Sequence, residues 1–93
     1  MLYYATKIRM KPGCGNSWDL TEIDSIYLEG EGKSGLYTKE SIHDFLRVYP
    51  GTIKVKLKRC PDVIPAVSIY REKYVKSEPN EFMDDNLLCL PRV

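Results

Sequence analysis

The sequence predicts a small α+β domain: a mostly antiparallel sheet in the order β-β-α-β-β, one helix packed across one face, and a C-terminal strap. Three observations carry this expectation. Residues 2–10 alternate with period two in strand-favouring residue types. Residues 39–49 hold an apolar stripe at helical spacing between a capping threonine and a Pro-Gly stop. The chain closes on Leu87-Leu88-Cys89-Leu90-Pro91, an apolar segment after a polar loop, as in an element that packs rather than frays.

Length and composition set the frame. A chain of 93 residues forms one domain, residues 1–93, and buries about 60–65% of its unfolded surface. Apolar content of 43% and charged content of 29% are those of an ordinary globular domain. A net charge of +1 lacks the positive excess of a basic nucleic-acid binder. Seven tyrosines against two phenylalanines favour half-buried sheet faces and interfaces, where the ring is covered and the hydroxyl stays wet. Cys14, Cys60 and Cys89 are odd in number and form no CxxC pair, which predicts free thiols and a cytoplasmic setting. The chain opens on strand-like residues, so no signal peptide is expected. No apolar run approaches the roughly 20 residues of a membrane span.

Along the first strand, Leu2, Tyr4, Thr6, Ile8 and Met10 are expected on one face, with Tyr3, Ala5, Lys7 and Arg9 on the other. Residues 11–17 read as a loop, and Trp18 is expected to fold back over the sheet. Residues 22–29 form the second strand, with Ile23 out of phase with Ile26 and Leu28, so a bulge is expected near Asp24-Ser25. The glycine-rich stretch 30–35 reads as a flexible connection. Thr38 is the natural N-cap of the helix, Glu40 suits its positive end, and Pro50-Gly51 stops it. Ile42, Phe45, Leu46 and Tyr49 make its stripe.

Ile53, Val55 and Leu57 alternate with Lys54, Lys56 and Lys58 in a third strand with a cationic outer face. Two prolines confine residues 60–65 to a loop or a sheet edge. Residues 66–77 are strand-like again, either one bent strand or a hairpin turning at Arg71-Glu72, and residues 77–80 form a turn before the strap.

The ending resembles a known family. Tyr74-Val75-Lys76-Ser77-Glu78-Pro79-Asn80, followed by Asp85-Asn86-Leu87-Leu88-Cys89-Leu90-Pro91-Arg92, is similar to the family called domain of unknown function 3892. Its members are small bacterial and phage proteins that end in Tyr-x-(Arg/Lys)-Thr, a short loop, then Asp-Asn-Leu-Leu-x-Leu-Pro. Ile8-Arg9-Met10, Ile23-x-x-Ile26-x-Leu28 and the short helix fit more loosely. Ser77 stands where threonine is usual, and residues 60–65 look like an insertion. The resemblance implies a fold and a bacterial or phage setting, and no reaction.

Each chemical constellation has a structural alternative. Asp84, Asp85 and Asn86 offer a cation or ligand cluster, or an Asx-turn at the entry to the strap with Asn86 buried and hydrogen-bonded. Arg92 suits an anion or an ion pair with Asp85. Lys54, Lys56, Lys58 and Arg59, with Lys7 and Arg9 beside them and Tyr3 and Tyr70 near, suit a phosphate-bearing ligand or single-stranded nucleic acid. The same lysines equally protect a sheet edge. Gly13-Cys14-Gly15 suggests an anion-binding nest without the residues of a phosphate loop. His43 lies off the apolar stripe, hence toward solvent, and matches no zinc spacing with the cysteines. Neither Cys14 nor Cys60 has a sequence neighbour that activates it.

The expected function is therefore a binding module, more a non-enzyme than an enzyme, with no cofactor and no metal. It takes a protein partner or a small anionic, nucleotide-like ligand, as an accessory or anti-defence protein, and forms a homo-oligomer. Its candidate ligand-binding residues are Arg9, Lys54, Lys56, Tyr70, Asp85, Asn86 and Arg92. A nucleic-acid-binding accessory protein using the lysine face is the alternative. A small hydrolase built on Cys14, His43 or Asp85 is the second.

Overall fold

The computed structural model describes residues 2–30, 32–57, 60–78 and 86–93, with the side chains of Lys33 and Asn86 excepted. These residues form strands β1 (Tyr3–Met10), β2 (Ile23–Gly30) and β3 (Lys33–Thr38), helix α1 (Lys39–Val48), and strands β4 (Ile53–Val55), β5 (Val63–Val67) and β6 (Lys73–Ser77). Short 3-10 turns stand at Leu20–Glu22 and Asn86–Cys89. One sheet has the order β3-β2-β1-β4 and the other is the hairpin β5-β6. All neighbours are antiparallel except β1 and β4, which run parallel. An antiparallel bridge between Lys54 and Asp62 joins the two sheets. Helix α1 packs against β2 and β3 of one and against β5 and β6 of the other. The α+β class, the antiparallel bias and the packed helix are as the sequence predicts.

Strand β1 departs from strict alternation. Ala5 lies opposite Leu28 and Lys7 opposite Tyr27, so Thr6 is an extra residue on this strand. A bulge reverses the side-chain phase. Ala5 points to the core before it, and Ile8 and Met10 point to the same core after it. A second irregularity sets Ser25 opposite Arg9 and Ile23 opposite Met10, leaving Asp24 extra on β2, where a bulge is expected.

Gly30 and residues 33–35, expected in a flexible connection, belong to strands; Glu31 lies outside the described residues. Gly30 pairs with Lys33, Leu28 with Gly35 and Ile26 with Tyr37, so this stretch turns the chain and enters β3. Ladder pairing uses backbone groups only, and a glycine-rich strand carries no apolar pattern to announce it. Gly30 is also required by a close approach: a Cβ there would collide with the carbonyl oxygen of Leu2.

Thr38 caps α1, its hydroxyl accepting the Ser41 N–H at 3.2 Å, and Gly51 takes φ +77 just past the end. The buried positions are Lys39, Ile42, His43 and Leu46. That stripe still has helical spacing, but it is rotated from the expected one: Phe45 is half-buried and Tyr49 exposed. The reason is the second sheet, which covers the flank of the helix that a single sheet would leave in water. His43, expected toward solvent, is only 3% exposed.

The third expected strand is shorter than its alternation suggests. Strand β4 stops at Val55, after which Leu57 N–H bonds Val55 C=O and Cys60 N–H bonds Leu57 C=O, both at 2.9 Å. Val63, Ile64 and Pro65 belong to β5; of the expected loop or sheet edge it is the edge that holds for Pro65, which faces Val75 across a sheet of only two strands. Residues 66–77 are thus the rest of a hairpin rather than one bent strand.

The strap closes the domain as expected. Ile8 N–H bonds Pro91 C=O and Val93 N–H bonds Ile8 C=O, both at 2.9 Å. The edge of β1 is therefore shared, with β4 along Tyr3–Ala5 and the strap at Ile8. Leu87, Leu88 and Leu90 are buried in the core with Ala5, Ile8, Ile23, Ile26, Val63 and Val75.

Candidate functional site at the β5–β6 hairpin tip

Val67 faces Lys73 at the end of the β5–β6 ladder. Beyond that pair, Ser68 N–H bonds Glu72 C=O at 3.0 Å and Arg71 N–H bonds Ser68 C=O at 2.9 Å. Ile69, Tyr70 and Arg71 thus form a three-residue hairpin loop closed by a left-handed residue, Arg71 at φ +64. The Ser68 hydroxyl stitches the loop from inside, accepting the N–H groups of Tyr70 and Glu72 at 3.1 Å each. The tip is well bonded, yet its outer side chains are bare: Ile69 is 90% and Tyr70 86% exposed, with Val67 exposed beside them.

Below the tip, Glu72 is fastened from two directions. Its Oε2 lies 2.9 Å from Lys11 Nζ and 2.9 Å from Lys39 Nζ. Lys39 is only 2% exposed, and its ammonium also lies 3.2 Å from Glu40 Oε2. Hydrogen bonds from Lys11 and Lys39 hold the Glu72 carboxyl below the ordinary carboxylate range, and Glu72 in turn raises Lys11. The next residue is held as well: Lys73 Nζ lies 2.9 Å from Asp44 Oδ1, whose other neighbour is His43 Nδ1 at 3.2 Å. Lys73 first, then His43, lowers the Asp44 carboxyl. The base of the hairpin tip is thus pinned to α1 and to the loop after β1.

The residues expected to bind a ligand are dispersed. Tyr70 stands at the tip. Arg9 is exposed on the sheet face away from α1, and Lys56 is exposed just beyond β4. Lys54 is occupied by Asp62, its Nζ 2.5 Å from Oδ1, and is raised by that bond. Tyr3 is not near the lysines: it lies on the helix side, edge-on to Phe45 at 6.2 Å and 77°. Lys7 sits 5.2 Å from the centre of the Tyr27 ring. Lys58, Arg59, Asp84 and Asp85 lie outside the described residues, as does the Asn86 side chain.

Arg92 makes its described contacts within the domain. It donates to the carbonyls of Gly15 at 2.8 Å and Leu88 at 3.3 Å, and its guanidinium lies 5.1 Å from the centre of the Trp18 ring. Trp18 does not cover the sheet; it is 61% exposed and held by the strap. In the Gly13-Cys14-Gly15 turn, the Cys14 N–H is already bonded to Lys11 C=O at 2.9 Å. The Cys14 thiol donates to Glu22 Oε2 at 3.0 Å, which pushes its pKa up and away from a reactive thiolate. Glu22 also accepts from Ser17, and these bonds lower its own carboxyl. Among the described residues, no group of three or more His, Cys, Asp or Glu side chains is placed to hold a metal ion. No helix among them is long and apolar enough to cross a membrane.

Sequence reasoning missed Ile69, Arg71 and the buried Lys39. The available signal was an Ile-Tyr-Arg triplet in the centre of a hairpin, where Gly, Asn or Asp ordinarily stand. No known protein family matches the sequence, and neither a curated protein nor a solved structure matches the chain.

Proposed function

We propose that this domain is a non-enzymatic binding module that engages a protein partner through the tip of the β5–β6 hairpin. One observation carries the reading: all three loop residues run against what the turn prefers. Two large apolar side chains occupy solvent-facing turn positions, and an arginine takes the left-handed conformation at a cost of roughly 1–2 kcal/mol. Local rules broken at an exposed, well-anchored site are the mark of a feature kept for something other than folding. Ile69 and Tyr70 form a knob suited to an apolar recess, and burying each contributes about 1.5–3 kcal/mol. Arg71 beside them favours a recess with an acidic rim.

The three cysteines are free thiols, consistent with a reducing cytoplasmic setting. The C-terminal resemblance to domain of unknown function 3892 fits the same reading, a small accessory protein of bacterial or phage setting that works by occupying another molecule. Nucleic-acid binding by the cationic sheet face is less favoured, because Lys54 is already paired with Asp62.

The test is comparative capture from host-cell lysate with quantitative mass spectrometry. Wild type and a Lys7→Glu/Arg9→Glu variant are expected to retain the same protein, and Ile69→Asn/Tyr70→Asp to lose it. Equal retention by the tip variant, or loss only with the sheet-face variant, overturns the reading.

A further inference from the structure

A second feature lies on the helix side of the larger sheet. Between α1 and the strands is an open cleft of about 220 Å³. Tyr3, Tyr37 and Phe45 wall it, Leu28 and Ile42 lie deeper, and Ser34 and Ser41 complete the described lining with Ile53. None of the described residues lining it carries a charge. Phe45 is fixed between two rings, with Tyr3 edge-on and Tyr49 tilted at 5.1 Å and 43°.

Gly35 stands next to the cleft, beside the Tyr37 ring. This residue lies opposite Leu28 in the β2–β3 ladder, on the face turned toward α1, with Tyr37 next on the same face. Nothing in the backbone demands a glycine there: φ is outside the left-handed region, and the nearest atoms to an added Cβ are those of the Tyr37 side chain at 3.6–3.7 Å, an ordinary contact. Inward strand positions are ordinarily filled by β-branched or aromatic side chains, and glycine weakens the strand. The position thus leaves room beside Tyr37, one of the cleft's aromatic walls.

We infer that this cleft is a binding site for a small, uncharged, planar ring compound. Its volume exceeds the roughly 150 Å³ that admits benzene in an engineered apolar cavity and falls short of the roughly 300 Å³ where drug-sized sites begin. One ring or two fused rings fit that interval. Aromatic walls favour a planar guest in offset or edge-on contact. A charged guest would be desolvated against a lining with no counter-charge. Ser41, on the exposed side of α1, suits a guest with one polar edge. The site is separate from the hairpin tip, and its test does not depend on the protein partner.

The test is a titration of ¹⁵N-labelled protein with indole, followed by amide shifts, with indole-3-acetate as the charged counterpart. Saturable shifts are expected at Leu28, Gly35, Tyr37, Ile42 and Phe45, with indole-3-acetate binding at least about tenfold more weakly. Gly35→Val, which adds bulk beside Tyr37 from β3, and Ser41→Leu, which narrows the cleft from the exposed side of α1, are each expected to weaken indole by a similar factor. Two variants on different elements keep the test decisive if one fails to fold. Absence of saturation, shifts centred elsewhere, equal binding of the charged probe, or unchanged indole binding in a folded variant overturns the inference.

Discussion

Lys39 Nζ lies 2.9 Å from Glu72 Oε2, which ties the buried first residue of α1 to the residue that follows the hairpin loop. An ammonium on the inward stripe of a helix needs a partner, since burying it alone costs several kcal/mol. Glu72 supplies the partner, and Lys11 shares the same oxygen at 2.9 Å. One carboxylate oxygen therefore links the loop after β1, the helix and the hairpin that presents Ile69 and Tyr70.

Glu72→Gln leaves Lys39 with Glu40 alone, at 3.2 Å. A loss of about 2–4 kcal/mol is expected in urea unfolding, because the surviving charge stays buried. Lys39→Met removes that charge and is expected within about 1 kcal/mol of wild type, or more stable. In the Lys39→Met background, Glu72→Gln should cost much less than it does alone. A Glu72→Gln protein as stable as wild type would show that the linkage contributes nothing.

Acid should weaken the fold in a defined direction. Glu72, Asp44, Glu22 and Asp19 all have carboxyls lowered by hydrogen bonds, from Lys11 and Lys39, from Lys73 and His43, from Cys14 and Ser17, and from Thr21. A group with a lowered folded pKa contributes stability that is complete above its unfolded value, near about 4 for carboxyls. That stability is lost as pH falls through the lower folded values. Melting temperature is expected to be level from neutral pH down to about 5 and to fall below about 4. Glu72→Gln should flatten part of that decline; a Tm that holds steady down to pH 2 would contradict it.

The strap predicts that the end of the chain is indispensable to folding. Leu87→Ala is expected to cost about 2–5 kcal/mol, a large part of a small domain's total of about 5–15 kcal/mol. Removing residues 87–93 takes away three buried leucines and both backbone bonds to Ile8, and should abolish the cooperative melt. A truncated protein that still melts sharply would refute the clasp.

At the tip, stability and binding are expected to separate. Arg71→Gly relieves the left-handed strain and should stabilise the domain by about 0.5–1 kcal/mol, after glycine's own entropic cost in the unfolded chain. Ile69→Asn, at an exposed position, should stay within about 0.5 kcal/mol of wild type. Chemical denaturation of both variants checks this, and a marked loss of stability in either would mean that the tip serves the fold.

The legible parts of the fold were those carried by side-chain pattern or capping chemistry. Thr38 and the Pro50-Gly51 stop bounded α1, and the apolar spacing of Leu87, Leu88 and Leu90 announced the strap. The illegible parts depend on backbone pairing or on partners distant in sequence. Strand β3 has glycine and polar residues where a pattern would be read, and its pairing with β2 needs only N–H and C=O groups. The Thr6 bulge reverses the phase of β1 midway, so an unbroken alternation put Ala5 on the wrong face. The rotated stripe of α1 could not be read from residues 39–49, because burial of Lys39 and His43 depends on a hairpin that begins at Val63. The same holds for the site: the sequence offers Tyr70 only as a ring, and its exposure follows from a loop whose last flanking residue, Glu72, is held by Lys11 and Lys39.

The shared edge of β1 has a consequence for the order of folding. This strand receives part of its ladder from residues far along the chain, through Pro91 and Val93 on Ile8. Until those residues dock, β1 lacks both that pairing and the three leucines that join the core beside it. In that interval its open edge is a surface that a chaperone, or another chain, can occupy.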